Sequence, residues 1–136
     1  MREIFTEVMN WRAAGKPIAV ATNVKCTGSS LRPLGAKMAV TPSLEIAGSV
    51  TGGCIEGAVY QEAQEVITSG QPKLLHYGVV NGENPWEVGL SCGGTLDVLV
   101  ESFDSDGWRQ IFEPLAACLK ENRPVAIATV ISHFVL

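Results

Sequence analysis

The sequence predicts an α/β fold, with α+β as its near variant: one mixed sheet of about five to seven strands flanked by about three helices. Two observations carry this. Three segments place apolar residues at helical spacing, over residues 2–14, 54–69 and 107–121. Between them lie short runs of β-branched and small apolar residues, bounded by glycine and proline.

In chain order, Ile4, Phe5, Val8 and Trp11 make the first helical stripe, which Gly15 and Pro17 stop. "PIAVATNV" reads as a buried strand, and "TGSSLRPLG" as a loop rich in turn formers. "AKMAVTPSLEIAGSV" reads as two short strands joined at Thr41-Pro42-Ser43. Ile55, Ala58, Val59, Ala63, Val66 and Ile67 form the stripe of a second helix from Cys54 to Ser69, ended by Gly70. "PKLLHYG" is a further strand, and residues 79–94 form a long loop. "TLDVLVE" alternates, with Leu96, Val98 and Val100 on one face. The last helix turns Trp108, Ile111, Phe112, Leu115 and Leu119 inward, and Pro114 is expected to kink or restart it. "AAGKPIAVATNV" resembles "KENRPVAIATVI" near the end, so a helix–strand unit used twice is expected, the second within 104–136.

The 136 residues fit a single domain spanning 1–136. A hydrophobic fraction of 46% against 18% charged describes a chain that folds, and a net charge of -4 argues against a nucleic-acid partner. No apolar run is long enough to span a bilayer, and Arg2, Glu3, Glu7 and Arg12 exclude a secretory leader, so a cytoplasmic location is expected. Cys26, Cys54, Cys92 and Cys118 form no C-x-x-C or C-x-x-H pair, which argues against a zinc knuckle. In a reducing compartment they are expected as thiols. Cys118 falls on the apolar side of a helix and reads as inert core, while Cys26 ends a strand.

Three motifs hold the candidate chemistry. In "GSVTGGCIEG", Thr51-Gly52-Gly53 leads Cys54 into a helix, where amides without intrahelical partners and the helix dipole favour an anion or a thiolate. A glycine turn ahead of a small buried cysteine accounts for these residues equally well. In "GLSCGG", Cys92 stands beside Gly93 and Gly94 in the long loop. In "TGSSLRPLGAK", Ser29, Ser30, Arg32 and Lys37 offer hydroxyls and two cations, without the spacing of a phosphate-binding loop. Glu56 reads as a carboxylate placed favourably in the first turn of its helix.

Together, "TGSSLRPLGAKMAV", "IAGSVTGGCIEGAV" and "VGLSCGGTLDVLVE" resemble the N-terminal domain of the XdhC/CoxI family in order and spacing, the motifs covering residues 26–103. The resemblance implies a non-catalytic accessory chaperone in the maturation of molybdenum hydroxylases such as xanthine dehydrogenase and carbon monoxide dehydrogenase. Such proteins bind molybdenum cofactor (molybdopterin) as cargo, support its sulfuration with a cysteine desulfurase, and insert it into the apo molybdenum hydroxylase. On this chain the resemblance puts Cys54 and Cys92, with Gly52, Gly53, Gly93 and Gly94, at the family's glycine-flanked cysteine positions, as molybdenum or sulfur contacts. Ser29, Ser30, Arg32 and Lys37 fall at its basic loop. Leu31 stands where the family usually has proline. Family members commonly continue into a Rossmann-like domain, so a partial module or a separately encoded partner domain is expected.

Two other readings compete: a small thiol enzyme of sulfur transfer or redox chemistry using Cys54, and an assembly domain whose glycine loops pack against a partner without binding a ligand. Exposed strand edges would favour a homo-oligomer in either case.

Overall fold

The computed structural model describes residues 1–30, 32–78, 89–90 and 93–131. In chain order these form α1 (Arg2–Ala13), β1 (Ala19–Thr27), β2 (Lys37–Val40), β3 (Ile46–Gly48), α2 (Glu56–Ser69), β4 (Lys73–Tyr77), β5 (Thr95–Ser102) and α3 (Asp106–Lys120). The five strands make one sheet in the order β3-β2-β1-β5-β4.

The expected helices and strands up to α3 are present, but the sheet is not mixed. All four strand pairings are antiparallel. α2 joins two strands at opposite edges of the sheet, β3 and β4, so its crossing creates no parallel neighbours. The apolar runs specify burial, and burial is blind to strand direction.

Both faces of the sheet are covered. α2 lies on one, packing Val59, Ala63 and Val66 over Ala19, Ala21, Met38, Val40, Leu96, Val98 and Val100. α1 and α3 lie on the other, where Ile4, Val8, Trp11, Trp108, Phe112 and Leu115 meet Val20, Ala39 and Phe103. This face is rich in rings: Phe103 stacks against Trp108 at 5.0 Å and meets Phe112 edge-on at 5.3 Å. The Arg12 guanidinium lies 3.9 Å from the Phe112 ring centre.

α3 begins at Ser105, whose hydroxyl accepts the Trp108 amide, and runs through Pro114 without restarting. Gln110, whose carbonyl would have bonded to the missing Pro114 N–H, is exposed, so water can satisfy it. Ser105→Ala is expected to lower stability by about 1 kcal/mol, read from the urea midpoint with an unchanged slope.

The second helix–strand unit is half realised. α3 forms, but residues 124–131 run outside the sheet, with Val125, Val130 and Ile131 exposed. β1 is a strand because β2 and β5 flank it. The later copy has the same side-chain pattern and no neighbouring ladder, so the repeat predicts its composition but not its pairing. Cys118 is half-buried rather than inert core.

Candidate functional site

The motif loops gather at one end of the sheet. There β1 ends opposite the start of β5, with Thr27 paired to Thr95 and Tyr77 of β4 beside Leu96. The loop after β3, residues 49–55, leads into α2 at the same end, and Arg32 ties the basic loop to it by donating from Nε to the Ser49 carbonyl at 3.3 Å. The Arg32 guanidinium also pairs with Glu3 of α1.

Glu56 organises the loop that carries Cys54. Its carboxylate accepts from the Ser49 and Thr51 hydroxyls, both at 2.6 Å. It also accepts the amides of Thr51 (2.9 Å), Gly52 (3.1 Å), Gly53 (2.9 Å) and Ile55 (3.2 Å). Burial by itself would raise this carboxyl, but the bonds from Ser49 and Thr51 outweigh it and hold the pKa at about 2. The helix-terminus reading of Glu56 therefore holds and extends further back along the chain than the first turn. The anion reading of the amides is corrected by the same contacts: the N–H groups at 51, 52, 53 and 55 serve the chain's own carboxylate.

Cys54 sits at the tip of this clamped loop and is exposed, its amide donating to Thr51 Oγ1 at 3.1 Å. Gly52 and Gly53 have φ of +90° and +126°, backbone that a side chain adopts at a cost, and an added Cβ on Gly53 meets nothing within 4 Å. The turn is thus tight, with open space at Gly53.

Cys92 lies outside the described residues. Of its neighbours, Gly93 faces open space, whereas Gly94 is packed against backbone: a Cβ there would sit 2.4 Å from the Thr27 carbonyl oxygen. Gly28 and Gly78 in turn crowd against Gly94. These glycines let three strand ends close on one another.

Ser29 and Ser30 are exposed, and Ser30 forms a local turn by donating to the Arg32 carbonyl at 2.8 Å. Lys37 is not brought to Cys54. Its Nζ donates to Thr22 Oγ1 at 2.7 Å and lies 5.9 Å from the Trp108 ring, on the α1/α3 face of the sheet. There burial lowers its pKa, and the carboxylates of Glu101 and Glu3 partly offset this.

Sequence reasoning missed Asn23. It is 1% exposed in β1, and among the described residues neither its side-chain nitrogen nor its side-chain oxygen has a hydrogen-bond partner. The available signal was a carboxamide at an inward position of "AVATNV", two residues beyond Ala21. Among the described residues no three His, Cys, Asp or Glu side chains gather to hold a metal ion, and no helix is long and apolar enough to cross a membrane.

Comparison with known proteins places this architecture. Residues 11–78 match the XdhC and CoxI family. The chain is 33% identical over 118 residues to the molybdenum cofactor insertion chaperone PaoD of Escherichia coli K12, covering 84% of this chain and 34% of PaoD. It is 27% identical over 107 residues to a probable xanthine dehydrogenase subunit of Bacillus subtilis 168, covering 78% and 32%. A crystal structure described as a xanthine dehydrogenase from Bacillus halodurans superposes with a TM-score of 0.70 at 28% identity, over 89% of this chain and 36% of that one. The chain therefore spans about a third of the length of each.

Proposed function

Because the chain belongs to the XdhC and CoxI family, we propose that it binds molybdenum cofactor as cargo and passes it to an apo molybdenum hydroxylase such as xanthine dehydrogenase. The observation that carries this is the exposed Cys54 on a loop whose amides and hydroxyls are already satisfied by Glu56. Such a loop holds its shape without a ligand and places a soft-ligand residue at the surface. Molybdenum held by a dithiolene suits a thiolate contact. The similarity to a protein named as a molybdenum cofactor insertion chaperone supports the same cargo.

Cys92 joins Cys54 in this proposal on its motif position. Sulfuration of the cofactor with a cysteine desulfurase, and carbon monoxide dehydrogenase as a further client, belong to the proposal too. Arg32 contributes by fixing the Cys54 loop, Gly52 by the left-handed turn it allows, and Gly53 and Gly93 by leaving their own surroundings clear. Ser29 and Ser30 complete the rim. Lys37 contributes on the opposite face, where it secures β2 to β1 through Thr22.

Anaerobic purification from cells that make molybdenum cofactor, followed by metal and pterin analysis, tests the reading. Cys54→Ala and Cys92→Ala are each expected to reduce retained molybdenum by about tenfold or more, the scale on which loss of a metal-site partner acts. Equal retention by the double variant and the wild type would remove the thiols from the site.

A further inference from the structure

We propose that the cavity between α1, α3 and residues 124–131 is a second binding site, one that takes a small carboxylate carried on an aliphatic chain, with Lys37 and Thr22 holding the head group. The cavity has a volume of about 680 Å³, within the range of small-molecule sites. Its walls include Leu115 and Leu119 of α3, Thr22 of β1 and Ile127 of the final segment, which places it on the α1/α3 face of the sheet. The Cys54 loop leads into α2 on the other face, so the inference stands apart from the cofactor reading.

The lining joins aliphatic side chains to two cations. Leu34, Val125 and Ile131 are exposed where they border the cavity, and a ligand with an apolar body would cover them. Among the described residues the charged side chains that line it are Arg2 and Lys37, and no carboxylate does. Arg2 is engaged with the end of α3, donating from Nη1 to the Leu119 carbonyl at 3.4 Å. Lys37 is half-buried, and its Nζ forms no ion pair among the described residues. Glu3 is committed to the Lys37 backbone amide and to Arg32. Glu101 is bonded to Trp108 and lines a smaller neighbouring cavity of about 250 Å³, so both carboxylates reach Lys37 only at longer range. A half-buried ammonium without a close counter-ion is costly, and an incoming anion offsets that cost.

The head group follows from the donors. Thr22 Oγ1 accepts from Lys37 Nζ at 2.7 Å, so its own proton is left to donate, and no acceptor takes it among the described residues. The ammonium keeps its other N–H donors. Donors this close together, one of them charged, match the two oxygens of a single carboxylate. One half-buried cation suits a monoanion better than a phosphate dianion. The branched aliphatic side chains around them suit a hydrocarbon body rather than a polar ring.

The test is calorimetric titration of the whole chain with octanoate, octan-1-ol and octylammonium. Octanoate is expected to bind about tenfold or more tighter than octan-1-ol, the worth of a charged hydrogen bond, and octylammonium not at all. Lys37→Met is expected to weaken octanoate by about tenfold and to leave octan-1-ol as it was. Val125→Glu adds a carboxylate at an exposed position of the lining, where a charge stays solvated. It is expected to weaken octanoate severalfold more than octan-1-ol, and it decides the matter if Lys37→Met fails to fold. Cys54→Ala is expected to change neither ligand. Equal affinity for octanoate and either of the other two ligands overturns the head-group assignment, as does wild-type octanoate affinity in Lys37→Met. Absence of octanoate binding to the wild type overturns the site. An equal loss of octanoate in Cys54→Ala overturns its independence, whereas loss of cofactor alone in that variant supports two separate sites.

Discussion

Glu56→Ala is expected to cost about 2–4 kcal/mol and to abolish the proposed cofactor retention, because one carboxylate holds the whole Cys54 loop. Its removal takes the acceptor from the Thr51 and Ser49 hydroxyls and from the Thr51 and Gly53 amides, while the Gly52 and Ile55 amides keep Ser49 Oγ at 2.7 Å and Thr51 Oγ1 at 3.4 Å. Gly52 and Gly53 are exposed and can turn to water, so the loss falls short of the sum of the separate bonds. Thr51 is buried, and its amide cannot do so without opening the loop. The pH dependence has a definite sign. The folded carboxyl titrates at about 2, below its ordinary 4.5, so its contribution is complete above 4.5 and fades as the pH falls toward 2. Glu56→Gln should therefore be the less stable protein at neutral pH and should close the gap on the wild type across that acid window. Paired urea titrations along the pH series measure this. A constant gap would assign the stability to packing of the side chain rather than to its charge.

What was legible before the structure was whatever one segment decides alone. The stripe of Val59, Ala63 and Val66 and the alternation of Leu96, Val98 and Val100 are local patterns, and each became the buried side of its element. Pairing is decided between segments. "PIAVATNV" and "PVAIATVI" are nearly the same string, yet the first is the central strand and the second belongs to no ladder. The site divides in the same way. A first-turn carboxylate at Glu56 could be read from its place before a helix, but its reach back to Ser49 depends on how the loop folds over it. Asn23 was hidden because an inward polar residue shows its cost only once its neighbours are known to be apolar or committed. Glycine is the hardest case, since the letter records an absence, and the same absence serves a turn, a ligand or a neighbouring backbone.

The paired glycines of "GLSCGG" make that last point testable, with an effect as large as that at Glu56. Gly94→Ala is expected to cost about 3 kcal/mol or more, because its Cβ would stand 2.4 Å from the Thr27 carbonyl oxygen, an atom fixed by the β1–β5 ladder. Neither strand can retreat cheaply: Gly28 approaches Gly94 from one side and Gly78 from another, each already without a side chain. Gly93→Ala, one residue earlier, meets no atom within 4 Å and is charged only with its φ of +72°, about 1 kcal/mol. Thermal melts of the two variants, with hydrogen exchange at Thr95 and Leu96, separate these costs. Gly94→Ala should fray the start of β5 and lose cofactor as a consequence of the damaged fold. Gly93→Ala should keep the sheet intact, so any loss of cofactor there reports on the ligand surface itself. Equal and small effects at both positions would mean that the strand ends can separate, and that the glycines of this motif were spared side chains for the ligand rather than for each other.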